Sequence, residues 1–491
     1  ATTDDTSRFL STNFPNKGKQ KGLVILVQYS DVPFTIEDPW DYFHRMMNEP
    51  GFSTRGATGS ARDFFLESSN GQFDPEFDVY GPVTLPETRA YYGDNNDVNA
   101  WQMVTHACEL LKDEIDFSQY DRDNDGYVDN IYVFYAGEGE SSSGLTYTVW
   151  PHSSNIALIR PNEKYIYNGK IISNYATSNE WEEGNPDGVG TFCHEFSHVM
   201  GLPDLYATKY TDSFTPGPWS TLDYGPYNNE GRTPPVYTAF ERYCVGWMQP
   251  EVITGRGNFT LPPMGNNKAL MIKTDSPDEF YLIENRQQNS WDTYLPNHGM
   301  LVWHIDFDQY TWDKNLVNND PSHQRVDLVE ADDIQHIDNR EGDCFPGTAN
   351  VTSFTDDTQP SMKTWAGHRL SLPITDICET PGGFLSFKVL GGYDAPEAPA
   401  NLRVTATTSR SVTLTWDAVE GATGYKATAV RQGTFLPVEG CDGVDTAGAT
   451  EVTLTGLTPS TPYTCYVVAT GAQSESVPVS YTHLTLPTNS R

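Results

Sequence analysis

Two histidines four residues apart, His194 and His198, stand in the stretch GTFCHEFSHVMGLPD (190–204). On a helix that spacing puts both imidazoles on one face, where they can grip a single metal ion. Glu195 lies between them in an H-E-x-x-H pattern, its carboxylate within reach of a water on that metal. Gly201 suits the left-handed turn that ends a helix, Pro203 stiffens the reversal, and Asp204 can swing back as a third ligand. Two histidines and one carboxylate leave a tetrahedral zinc with one open position, the arrangement of a catalytic rather than a structural site. Zinc lowers the pKa of water from about 15.7 to about 7, and Glu195 would take that proton and pass it to a leaving amine. The bland alternative is a chance H-E-x-x-H on an ordinary amphipathic helix. The continuation x-x-Gly-x-x-Asp argues against it.

The helix needs a partner for its other face. Phe192, Phe196 and Val199 recur at i, i+4 and i+7, roughly opposite the histidines, so the segment has an apolar side to bury. Cys193 inside it is expected to be a small buried residue, not a nucleophile. Upstream, KGLVILVQYSD (21–31) and FDPEFDVYGPV (73–83) predict strands, and DPWDYFHRMM (38–47) and SARDFFLESS (60–69) predict helices, with Ser60 as a cap. Residues 97–117 predict a longer helix with Trp101, Val104, Cys108, Leu111 and Ile115 along one stripe. Residues 138–154 predict a turn feeding an edge strand, 164–178 another strand or hairpin, and 233–247 a closing helix with proline at its start. His152 has no spaced partner and is expected in a structural or cleft-wall role.

The run His194-Glu195-x-x-His198-x-x-Gly201-x-x-Asp204 resembles the metzincin zinc signature with aspartate in the third-ligand place. The fuller HEFSHVMGLPDLY is similar to the immune inhibitor A family of secreted metallopeptidases, as are GSARDFF, GQFDPEFDVYGPV and YYGDN. The resemblance implies an α+β zincin (metzincin-like) catalytic domain and a Met-turn beneath the zinc. PWSTLDYG (218–225) resembles that turn, with Leu222 in the methionine place and Tyr224 in the tyrosine place. Leucine for methionine is nearly volume-conserving. Tyr224 would then hydrogen-bond the developing oxyanion or swing off zinc; a plain turn tyrosine is the alternative.

A second group of carboxylates lies in YDRDNDGYVD (120–129). Asp121, Asp123 and Asp125 occupy positions 1, 3 and 5 of a calcium loop, Gly126 makes the sharp turn, Tyr127 can offer its carbonyl and Asp129 sits at position 9. Tyr132 stands where an EF-hand has its glutamate, and a strand follows in place of an exit helix. The expectation is a partial, EF-like structural calcium site, against a solvated acidic turn.

The chain has 491 residues, with 66 acidic against 31 basic and a formal charge of −35. Such a surface repels phosphate backbones and anionic membranes, which excludes nucleic acid as an expected partner. An aromatic content of 12% argues against disorder. No apolar run reaches the roughly 18 residues of a membrane span. Seven cysteines, an odd number, do not make a disulfide framework, though Cys441 and Cys465 could pair. The opening ATTDDTSRF carries no signal-peptide pattern, though a secreted protein could have lost one by processing, and with catalytic-domain pattern beginning within about twenty residues a full prodomain is not expected.

The expected organisation is a zinc metallopeptidase domain at 1–248 and a β-sandwich-like domain at 249–392, where short strands recur between turns. His298, His304, His323 and His336 in the latter fit no metal spacing. After the Pro/Gly-rich linker, 393–481 resembles a fibronectin type III domain, with Trp416 as core plug and Leu457 and Tyr463 in an L-x-P-x-T-x-Y corner. Residues 482–491 are expected as a tail that need not be native. The function expected is a secreted, monomeric zinc endopeptidase acting on polypeptides. The alternative is a catalytically silent, calcium-stabilised extracellular binding or adhesion scaffold on a peptidase fold, and hydrolysis of a glycan-linked amide is a third reading.

Overall fold

The computed structural model describes residues 9, 14–209, 211–263, 267–432 and 437–488. They divide into two compact units: the first holds 1–247 with 291–295 and 308–324, the second 248–290, 296–307 and 325–491. The catalytic unit therefore takes in two stretches from beyond 248, and one of them matters at the site.

Its centre is a sheet in the order Phe73–Thr84, Gly18–Gln28, Ile131–Glu138, Asn174–Glu182, His152–Asn155. The first four strands run parallel and the last antiparallel, as an edge. Strands covered on both faces read as continuous apolar runs, which is why LVILV and IYVFYA carry no alternation. Leu23, Ile25, Val27 and Val133 share one cluster with Trp101, Val104 and Cys108 of the Trp101–Leu111 helix. On the other face Phe77, Tyr132 and Phe134 meet the rings of Phe192 and Phe196 on the Val189–Val199 helix. Ser60 caps the Ala61–Ser68 helix through a reciprocal pair with Asp63.

Several boundaries differ from expectation. The 97–117 helix is confined to Trp101–Leu111, because Asn95, Asn96 and Asp97 take left-handed conformations with φ of 57°, 55° and 58°. Within 138–154, Glu138 ends the preceding strand, a helical turn follows at Glu140–Ser143, and the edge strand is only His152–Asn155. The closing helix is Ala239–Cys244, started by a Thr238–Glu241 capping box and not by proline.

In the second unit, a five-stranded sheet (Val326–Leu328, Gly299–Asp306, Glu279–Arg286, Leu270–Lys273, Glu251–Val252) and a three-stranded sheet (Gly257–Leu261, Leu385–Val389, Ile374–Glu379) bury residues in one apolar cluster. Beyond 400, sheets of three and four strands enclose Trp416, Leu457 and Tyr463, and the Thr458 N–H donates to the Tyr463 hydroxyl at 2.7 Å. Trp416 follows the Ser411–Thr415 strand and is not within it. The expected tail is corrected over its first residues. Val479–Thr485 is a strand paired with Pro462–Thr470, and Leu484 and Leu486 enter the core. Residues 489–491 of that expected tail lie outside the described residues. Cys441 and Cys465, the two cysteines expected to be able to pair, are free thiols. Among the described residues no helix is long and apolar enough to cross a membrane.

Candidate metal centre

The helix Val189–Val199 carries the motif. Gly188 and Gly190 let its first turn lie against a neighbouring segment: a Cβ at either would stand 2.1 Å from the Gly231 or Pro226 carbonyl oxygen. Gly201, at φ 97°, reverses the chain and brings Asp204 under the histidines. Cys193 faces the core, where burial pushes its thiol well up, so it is inert.

The two imidazoles are fixed from behind. His194 Nδ1 lies 2.8 Å from the Thr221 carbonyl and His198 Nδ1 2.7 Å from that of Leu202. Each Nδ1–H donates there, which leaves a lone pair on each Nε2 in the neutral ring. The Nε2 atoms stand 3.2 Å apart, and Asp204 Oδ1 lies 3.1 Å and 3.0 Å from them. Bonds of about 2.0–2.1 Å at tetrahedral angles space donor atoms about 3.3 Å apart, so the triad fits zinc. Asp204 Oδ1 is buried and makes no well-directed hydrogen bond, as expected of a ligand atom. Burial opposes charge on His198, but Asp204 outweighs it and pushes the imidazole up to about 10. A divalent cation would supply the same positive charge.

Asp204 is itself held by a residue 111 positions on. Asn315 Nδ2 donates to Asp204 Oδ2 at 2.6 Å, and the Asp204 N–H donates to Asn315 Oδ1 at 2.8 Å. Asn315 lies in the 308–324 stretch that joins the catalytic unit. Nothing in its spacing marks it, since its role depends on a long-range contact.

Glu195 is 6% exposed and borders a cavity of about 670 Å³; burial raises its carboxyl against the pull of both histidines. Tyr206 was also missed in the sequence. It lines the same cavity, and its ring lies 6.4 Å from that of His194 at 25°. The signal was present in PDLY, two residues past the third ligand. Tyr224 also borders the cavity but is 61% exposed. Leu222 is buried, and its carbonyl takes the Leu205 N–H at 2.8 Å. His152 walls a second opening beside His198, with Nδ1 2.6 Å from the Trp150 carbonyl and Nε2 3.0 Å from the Tyr175 hydroxyl, so neither nitrogen is free for a metal.

In the acidic loop, Asp121, Asp123 and Asp129 offer oxygens within 4.8 Å of one another. Asp125 stands outside this trio, its carboxylate taken by the Tyr127 N–H at 2.8 Å. Lys170 reaches Asp121 Oδ2 at 2.5 Å. Burial, then the charges of Asp123, Asp121 and Asp125, push Asp129 up to about 7. Asn130, 4% exposed, leaves its side-chain oxygen without a hydrogen bond at this place. In the second unit His304 is stacked between Tyr281 and Trp365 and lies 2.8 Å from Glu279, a core histidine.

Residues 12–255 match the family "Immune inhibitor A peptidase M6, catalytic domain", and the matched segment holds every residue of the triad. Residues 12–255 are an M6 catalytic domain. Residues 397–482 are a fibronectin type III domain. The pre-pro-metalloprotease PrtV of Vibrio cholerae serotype O1 is 26% identical over 291 residues, 50% of this chain and 31% of that protein. Immune inhibitor A of Bacillus thuringiensis subsp. alesti is 25% identical over 267 residues, 45% of this chain and 38% of that protein. A putative secreted metallopeptidase of Arthroderma benhamiae is 23% identical over 261 residues, 42% of this chain and 38% of that protein. The chain thus spans about a third of the length of these curated relatives.

Proposed function

We propose that the M6 domain is a zinc-dependent endopeptidase acting on polypeptides outside the cell. The observation that carries this is the convergence of two tautomer-fixed imidazoles and Asp204 on one point, with Glu195 beside them at an open cavity. Zinc held by His194, His198 and Asp204 would polarise a scissile carbonyl and acidify a water. Glu195 takes the proton from the attacking water and returns it to the leaving nitrogen, and a carboxyl raised by burial suits a group that must do both. Tyr206, in the cavity wall with its ring beside His194, is better placed than the largely exposed Tyr224 to donate a hydrogen bond to the developing oxyanion. The edge strand His152–Asn155 offers an extended substrate a line of backbone groups to pair with. The scaffold alternative leaves Glu195 without a use.

The wider reading has the same standing. The catalytic domain is metzincin-like, with Leu222 in the Met-turn, and 249–392 is a β-sandwich. Asp121, Asp123 and Asp129, with Asn130 beside them, would hold a structural calcium, and the name of one relative, a putative secreted metallopeptidase, supports secretion. The test is digestion of unfolded casein with and without a zinc chelator, alongside Glu195→Ala. Chelator-sensitive cleavage that falls about 10²- to 10⁴-fold in the variant, with zinc retained, supports the reading. Zinc-loaded wild type that leaves casein intact overturns it.

A further inference from the structure

We propose that the cavity beside Glu195 contains a subsite for a cationic side chain, so that the enzyme selects lysine or arginine close to the bond it cleaves. This rests on the peptidase reading above and names its substrate class.

The cavity opens between the motif helix and the 213–227 segment, and its walls include Trp150, Glu182, Thr191, Asp223, Tyr224 and Tyr227. None of the residues lining it is lysine or arginine. Glu182 ends the Asn174–Glu182 strand, and the chain then folds back through Asn185–Pro186, which pairs with Trp181 and Glu182. That reversal returns Asp187 to a place behind Glu182, one residue before the helix cap Gly188. The Asn179 side-chain amide lies 3.5 Å from Asp187 Oδ2. Asp187 is 5% exposed and its Oδ1 has no hydrogen-bond partner.

Burial raises both carboxyls, and the charge of Glu182 raises Asp187 further. A cation arriving at Glu182 favours the charged form of both carboxyls, which an apolar side chain does not. The rim supplies the rest of the recognition. Tyr224 and Tyr227 are 61% and 52% exposed, with ring centroids 6.0 Å apart. Two large rings left open beside carboxylates form a wall for a guanidinium or ammonium group through cation–π attraction. Burial and then Glu182 and Asp187 push the Tyr227 hydroxyl up to about 12, placing its ring in the same field.

The reach is right. From Val189, where the motif helix begins, to His194 is about 7.5 Å along a helix rising 1.5 Å per residue. An extended substrate advances about 3.3 Å per residue. Glu182 lines the same cavity as His194 and Glu195, so a long cationic side chain next to the scissile bond meets a carboxylate there and an acidic one is repelled.

The test uses fluorogenic peptides identical except for lysine or norleucine, scanned across the scissile bond, and reads the ratio of kcat/KM. Lysine should lead by about tenfold at one position, and Glu182→Gln should cut that ratio about tenfold. Tyr227→Leu should cut it about threefold. Binding of the same peptides to Glu195→Ala by fluorescence anisotropy separates recognition from hydrolysis. Cleavage with no lysine preference at any position overturns the subsite and leaves the peptidase reading standing. Equal loss for both peptides in Glu182→Gln reports a merely structural role and also overturns it. Tighter binding of the lysine peptide to Glu195→Ala, with wild type cleaving neither peptide, upholds the subsite and overturns the peptidase reading instead.

Discussion

The His194 centre and the Asp121 loop both gather anionic or lone-pair groups around a point, and they do so by opposite means. At the centre each donor atom is aimed by a second bond: two backbone carbonyls orient the imidazoles, and Asn315 clamps Asp204 through two hydrogen bonds. In the loop the carboxylates are spent partly on the turn itself. Asp121 accepts the N–H groups of Asp125 and Gly126 at 3.1 Å each, and Lys170 balances it further. A donor set held rigidly from outside resists metal loss. A donor set that also builds its own backbone couples ion binding to the stability of the turn.

Four experiments would break or sharpen this contrast. His198→Ala should have the largest effect, removing a buried ligand and abolishing stoichiometric zinc measured by elemental analysis. Retention of a full equivalent would mean the triad is not the binding site. Asn315→Ala should weaken zinc about 10- to 100-fold in competition with a chromophoric chelator, the range for loss of a residue that orients a ligand. An unchanged affinity would show Asp204 needs no clamp.

The loop should respond through stability and pH. Asp129 is raised in the folded state, so the folded protein binds more protons than the unfolded chain between about pH 4 and pH 7. Stability without calcium should therefore fall as pH rises through that window, and calcium should flatten the dependence while raising Tm. A Tm that ignores calcium at every pH would leave an ordinary acidic turn stabilised by Lys170. Leu222→Met should be the smallest change, under about 1.5 kcal/mol in denaturant unfolding and with little effect on zinc, since the side chain is buried and the swap nearly conserves volume.

The two sites were unequally legible for the same reason they differ. His194, Glu195 and His198 sit on one helix, whose 3.6-residue period converts spacing directly into geometry. Asp204 follows after a turn that glycine marks. In the loop, spacing named five residues, yet Asp125 turned inward to its own backbone while Asn130 and Lys170 joined the site. The helix bounds at 101–111 and 239–244 were misjudged because left-handed asparagines and a threonine cap outweigh apolar periodicity. The last strand, Val479–Thr485, was missed because its pairing partner lies in a different stretch of chain.

From sequence alone came the metal triad, Glu195 between its histidines, the apolar face that seats the motif helix, and the corner tyrosine of the last domain. Each is a local pattern, in which residues a few positions apart are joined by a regular backbone. Tertiary structure alone decided that Asn315 holds Asp204, that Tyr206 sits in the cavity wall with its ring beside His194, and that Glu182 lines the same cavity as Glu195. These depend on where a reversing chain and a distant stretch come to rest, and no local periodicity carries that information.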